Sequence, residues 1–300
     1  MPTPPRDYRL INACIAAYGI AGGTLDPKTP GYDKIGLKAP PKCFVAGDQA
    51  IDACFVGETT DDWAVLAFRG TLPPGPGKDP LDWILDWLQD FQIGPVPWTV
   101  NGKQFGIVEG GFARAMLALW PSIKGELDKI DLNSKKGLWI TGHSKGGSLT
   151  GLAASLVRAA YPKTALQIVA FAPALTYGQD FKTTYYAEGL GNATVRYQNE
   201  CDIVPFLPLI LSGAAFGAVL WAFGKTPHLD QIKLLEYDAV GTLNYINFDE
   251  ASKRYNIEQD AVGQAASVEA LGAAILGRRF DTIVSAHSGS GGYLKCFGIP

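Results

Sequence analysis

Five residues carry the clearest chemistry in this 300-residue chain: Gly142, His143, Ser144, Lys145 and Gly146. They form a G-x-S-x-G turn, preceded by the apolar run Leu138–Thr141 and followed by an amphipathic run from Lys145 to Tyr161. A serine there sits on a strand-to-helix turn too tight for side chains two positions either side, which is why glycines flank it. Its hydroxyl projects at a helix N-terminus, where free N–H groups favour negative charge. The chemistry is nucleophilic attack on an acyl carbon.

A serine needs a base, and only three histidines are available. His143 is part of the turn and is expected to pack beneath it. On strand–turn–helix sites of this kind the chain order is serine, acid, histidine. His228 and His287 both follow Ser144. His228 precedes a predicted strand and is expected to be structural. His287 lies in Ser285–Tyr293, after the last long helical run, and is expected on a loop as the general base. The acid must follow the strand Thr194–Gln198. Asp202 is the choice, because Ile203–Pro205 places it against the apolar interior, with Glu200 as the alternative. Oxyanion donors are expected from the N–H of Lys145 and from Thr71, in the turn Arg69–Thr71 after the strand at 63–69.

The elements that position these groups alternate. Strands are expected near 63–69, 138–141, 167–171, 194–198 and 232–237, and helices near 112–120, 145–161 and 257–279. Pro121 is expected to stop the helix that begins at Phe112. A helix starts near Tyr8. Interleaved strands and helices imply a mostly parallel sheet with helices on both faces. A hairpin of 42–47 and 50–57, turning at Asp48–Gln49, adds an antiparallel edge and sets Cys43 opposite Cys54 as two thiols in contact. No repeat or linker divides residues 1–300, so one α/β domain is expected.

Composition excludes other classes. Charged residues are 18% and hydrophobic residues 47%, which argues against a disordered chain. A net charge of −3 gives no pull toward nucleic acid. The five cysteines show no metal-ligand spacing, and no cofactor motif is present, so no metal or cofactor is expected. No secretory signal is visible at the N-terminus, which favours cytoplasm over another export route. The uncharged segment at about 203–224 has the length of a membrane span, but its prolines and glycines break it. It is expected instead as an apolar insertion, either a flap or a core helix, with Phe206 and Leu207 near substrate.

With these motifs in hand, the chain resembles the fungal-lipase-like (class 3) lipases of the α/β-hydrolase fold. The matching segments are Ala67–Thr71, Val108–Phe112, Thr141–Gly147, Asn199–Pro205, and His287 with Tyr293 after it. They run in the family's order from about residue 60 to 295. The resemblance implies a serine hydrolase cleaving carboxylic esters of lipid-like substrates through an acyl-enzyme, at a lipid–water interface, with Ser144, Asp202 and His287 as triad. It also implies a lid at about 72–92. There Trp83, Ile84, Trp87, Leu88 and Phe91 form an apolar stripe, with Trp83 and Trp87 facing substrate or lipid, opposite Asp82, Asp86 and Asp90. A fixed core helix fits the same pattern. Three departures stand out. Lys145 replaces the usual apolar residue, Glu109 stands where histidine is frequent, and Asp202 to His287 is an unusually long gap. A short-chain esterase, an acyltransferase, and an inactive lipid- or partner-binding scaffold remain open alternatives.

Overall fold

The computed structural model describes residues 5–72, 94–207, 237–259 and 261–297. The segment 73–93, with Trp83 and Trp87, lies outside the described residues. So do 208–236, with His228, most of the expected insertion, and all but Tyr237 of the strand expected at 232–237.

One eight-stranded sheet forms the frame. Its strands are β3 (Lys42–Ala46), β4 (Asp52–Glu58), β5 (Trp63–Phe68), β8 (Gly137–His143), β9 (Leu166–Phe171), β10 (Thr194–Asn199), β11 (Thr242–Asp249) and β12 (Arg254–Glu258). The spatial order is β12-β11-β10-β9-β8-β5-β4-β3. The pairs from β5 through β11 are parallel, and both edges are antiparallel. Two small hairpins stand apart from this sheet: β1 (Ile20–Ala21) with β2 (Thr24–Leu25), and β6 (Pro95–Val100) with β7 (Lys103–Glu109). The fold is that of an α/β hydrolase.

Alternation along β8 shows why the sheet is covered on both faces. Leu138 and Ile140 join one apolar layer, and Trp139 joins the other. The first layer is closed by α3 (Gly110–Leu127), α4 (Lys145–Ala160) and α5 (Gln179–Ala187), the second by α1 (Arg6–Ala17). Leu10, Ile11, Ala13 and Cys14 of α1 are fully buried. Arg9 of the same helix stacks over Trp139 at 4.7 Å and makes a two-pronged pair with Asp61 at 2.8 and 2.9 Å. A four-residue helix, α2 (Tyr32–Ile35), follows the first hairpin.

Three expectations need correction. Pro121 does not end its helix, since α3 continues to Leu127. Leu117, whose carbonyl would have met a Pro121 N–H, and Pro121 itself are both exposed, so the lost bond falls on the solvent side. Cys43 and Cys54 do not face each other. Cys43 pairs with Phe55 and Cys54 with Phe44, and the two thiols enter opposite apolar layers. The turn is a five-residue loop containing a 3-10 turn at Asp48–Ala50, with Ala50 at φ 57°, and this moves the register by one residue. All five cysteines are free thiols. Finally, the run expected as helix from Ile257 begins as the end of β12. The helix proper, α6, covers Ala261–Leu276, and α7 (Phe280–His287) follows as a separate short helix.

Candidate active site

Because β5, β8 and β10 are parallel, their C-terminal ends emerge on one edge of the sheet. Arg69–Leu72, Ser144 and Asp202 follow those three ends and are thereby gathered. His287 arrives from α7.

Ser144 has φ 59° and ψ −128°, a sparsely populated region that costs on the order of 1–3 kcal/mol. The cost is held by close backbone packing. A Cβ at Gly142 would collide with the Gly146 carbonyl, and one at Gly146 would come within 2.5 Å of the Phe68 carbonyl. Ser144 stands at the N-cap of α4, and its own N–H donates to the Phe171 carbonyl at 2.9 Å. Lys145 is the first residue of α4, so its N–H belongs to the free N-terminal set of that helix.

Asp202 is fully buried and its carboxylate has three donors. The Val204 N–H reaches Oδ1 at 2.9 Å, Tyr293 Oη–H reaches Oδ2 at 2.6 Å, and His287 Nδ1 lies 3.0 Å from both oxygens. Tyr293 stays protonated, because burial and the Asp202 charge push its phenol well above the usual range. Its oxygen also accepts the Asn199 N–H at 3.0 Å, which ties Asp202 to the end of β10. Glu200 points elsewhere, accepting the Phe248 N–H at 2.9 Å.

His287 is not on a flexible loop, as its sequence context suggested. It is the last residue of α7 and is buried, followed by a tight π-type turn over Gly289–Tyr293. Flanking Ser and Gly residues suggested mobility. Packing on His143 and the bonds to Asp202 immobilise it. The two histidine rings lie 4.7 Å apart between centroids. His143 Nε2 donates to the His287 carbonyl at 2.7 Å, and Tyr18 Oη lies 2.8 Å from His143 Nδ1. A carbonyl can only accept, so His143 carries its proton on Nε2 and takes one from Tyr18 on Nδ1. Burial, then the neighbouring His287, hold its pKa well below the usual range.

Thr71 shares a cavity with His287 and His143. Arg69, two residues earlier, donates to the carbonyls of Ile20, Ala50 and Ile51 at 2.9, 2.6 and 3.1 Å, and so fixes the strand end. The unexpected contact is at Lys145. Its ammonium lies 2.6 Å from Asp52 Oδ1, with both side chains largely buried. The charge that stands in place of an apolar residue is thus held at the start of β4. Glu109 serves a helix end: its Oε2 accepts the Phe112 N–H at 3.0 Å at the start of α3. Phe206 and Leu207 are buried in the apolar layer beside Ile203 and Val204. Among the described residues, no group of three or more His, Cys, Asp or Glu could hold a metal ion, and no helix is long and apolar enough to cross a membrane.

A strained serine turn beside a buried Asp–His pair, on the C-terminal edge of a mostly parallel sheet, is the arrangement of an α/β hydrolase. Within that class, residues 65–212 match the class 3 lipase family model. Solved structures agree on the fold. A Penicillium expansum triacylglycerol lipase is 18% identical with a TM-score of 0.58, covering 96% of this chain and 95% of its own. A Rhizomucor miehei lipase–propeptide complex is 18% identical with a TM-score of 0.61, covering 88% and 76%. A mono- and diacylglycerol lipase from Aspergillus oryzae is 18% identical with a TM-score of 0.57, covering 85% of each chain. No curated protein matches the chain in sequence.

Proposed function

We propose that this protein is a serine hydrolase that cleaves carboxylic esters of lipid-like substrates. The observation that carries the proposal is the buried Asp202–His287 pair beside the strained Ser144 turn. Asp202 holds Nδ1–H, which leaves Nε2 as the basic nitrogen. Ser144 Oγ attacks the ester carbon as its proton passes to Nε2. The carbonyl oxygen becomes an oxyanion, held by the N–H groups of Lys145 and Thr71. Collapse breaks the C–O bond, and His287 returns the proton to the departing alcohol oxygen. Water then repeats the sequence and releases the acid and free Ser144. The lipid-like substrate rests on the family match and on what the fold's relatives are named for.

The test is labelling of the full chain with a fluorophosphonate, which needs an activated serine. Wild type should label, and Ser144→Ala should not. Absence of labelling in intact wild-type protein, with and without detergent, would overturn the proposal.

A further inference from the structure

A cavity of about 530 Å³ opens between Thr71 and His287. Its size lies in the ordinary range for a small-molecule site. One wall is built by Ile15 of α1, Tyr18 at the C-cap of that helix, and Thr29 and Pro30 of the loop after the first hairpin. These residues precede the span 65–212 that the class 3 model matches. Ser288–Ser290, directly after His287, continue the lining.

Two of the hydroxyls on these walls are already engaged. The Tyr18 hydroxyl bonds His143, and the Ser288 hydroxyl accepts the Gly291 N–H at 3.0 Å. Ile15, Pro30 and Leu72 add hydrocarbon surface to the lining. Which half of an ester enters is decided by proton transfer. The alcohol oxygen must reach His287, because that is where it takes its proton on leaving. Lys145 and the Phe206–Leu207 stretch after Asp202 are not among its walls, whereas His287 and the three residues after it are.

On the serine hydrolase reading above, we infer that this cavity binds the alcohol half of the ester and selects alcohols that carry a hydrocarbon group. Ile15 and Thr29 set its depth. The N-terminal helix is thereby part of the substrate site as well as of the fold.

The experiment compares two ester series on the full chain. In one, a fixed short acyl group is esterified to straight-chain alcohols from methanol to octanol. In the other, methanol is the fixed alcohol and the acyl chain lengthens. Wild-type kcat/KM should rise about fourfold per methylene along the alcohol series until the cavity fills. Thr29→Trp should lower kcat/KM at least tenfold more for the hexyl and octyl esters than for the methyl ester, and keep the wild-type ranking along the acyl series. Pro30→Trp, at an exposed position of the same wall, should give the same pattern and guards against misfolding at residue 29. A flat alcohol series in wild-type enzyme that cleaves esters would overturn the inference. So would variants that reshape the acyl series instead. Wild type that neither labels with fluorophosphonate nor cleaves any ester would instead overturn the hydrolase reading itself.

Discussion

The side chain of His143 donates to the backbone carbonyl of His287 at 2.7 Å, so the residue before the nucleophile braces the residue proposed as the base. Replacing His143 with Leu removes that donor and leaves the Tyr18 hydroxyl without its acceptor. Unfolding in urea should show a loss of about 1–3 kcal/mol, the cost of buried polar groups left unmatched. A small displacement of a reacting group can cost about 100-fold. kcat should therefore fall roughly 10- to 100-fold, with KM nearly unchanged. Unaltered kcat would make the brace purely structural.

The same histidine gives a pH dependence. Folded, His143 stays neutral because burial lowers its pKa; unfolded, it titrates near the ordinary value of about 6.5. Below that pH the unfolded chain binds a proton that the folded chain does not. Stability therefore rises with pH up to about 6.5 and falls on acidification, by about 1.4 kcal/mol per unit for this one proton. Urea unfolding at pH 7, 6 and 5 checks it, with His143→Leu as the reference. The variant should show a shallower decline, and equal slopes would remove His143 as the source.

The elbow motif picked out Ser144, and chain order, the apolar flank of Asp202 and the placement of His287 after the last long helix singled out the other two, because a strand-turn-helix nucleophile demands an acid and a base further along. The glycines of the elbow were legible for the same steric reason. What could not be read were contacts set by tertiary approach. His143 meets a carbonyl 144 positions away, and a carbonyl carries no side-chain signal. The hairpin β11–β12 went unread because its strands mix Asn, Asp, Arg and Glu with apolar residues. Its turn also places Lys253, not Gly or Asn, at φ 55°. The Cys43–Cys54 contact failed on loop length, since an added residue at the turn sends the two thiols to opposite faces.

Asp52 is another partner that only the fold supplies. It pairs with the Lys145 ammonium in a largely buried site. Removing one member of such a pair leaves an uncompensated charge, whereas removing both can be nearly neutral. Asp52→Leu and Lys145→Met should each destabilise by about 2–4 kcal/mol, and the double variant should recover most of that loss. A double-mutant cycle by urea unfolding measures the coupling. Strictly additive losses would mean that the pair contributes nothing as a pair.

Tyr293 separates two roles at the acid. Its phenol is one of three donors on the Asp202 carboxylate and also accepts the Asn199 N–H. Tyr293→Phe keeps His287 bonded to a charged Asp202, but leaves an N–H and a carboxylate oxygen short of a partner. Stability should fall by about 1–3 kcal/mol and kcat by no more than about tenfold. Asp202→Asn is different in kind. An amide can offer its own N–H to Nδ1 and favour the wrong tautomer, which in comparable sites costs about 10⁴ in kcat. Ester-cleavage rates of the two variants should thus differ by about a thousandfold at similar loss of stability. Similar rates would mean that Asp202 only packs the site, and the base would have to draw its orientation from the His143 brace alone.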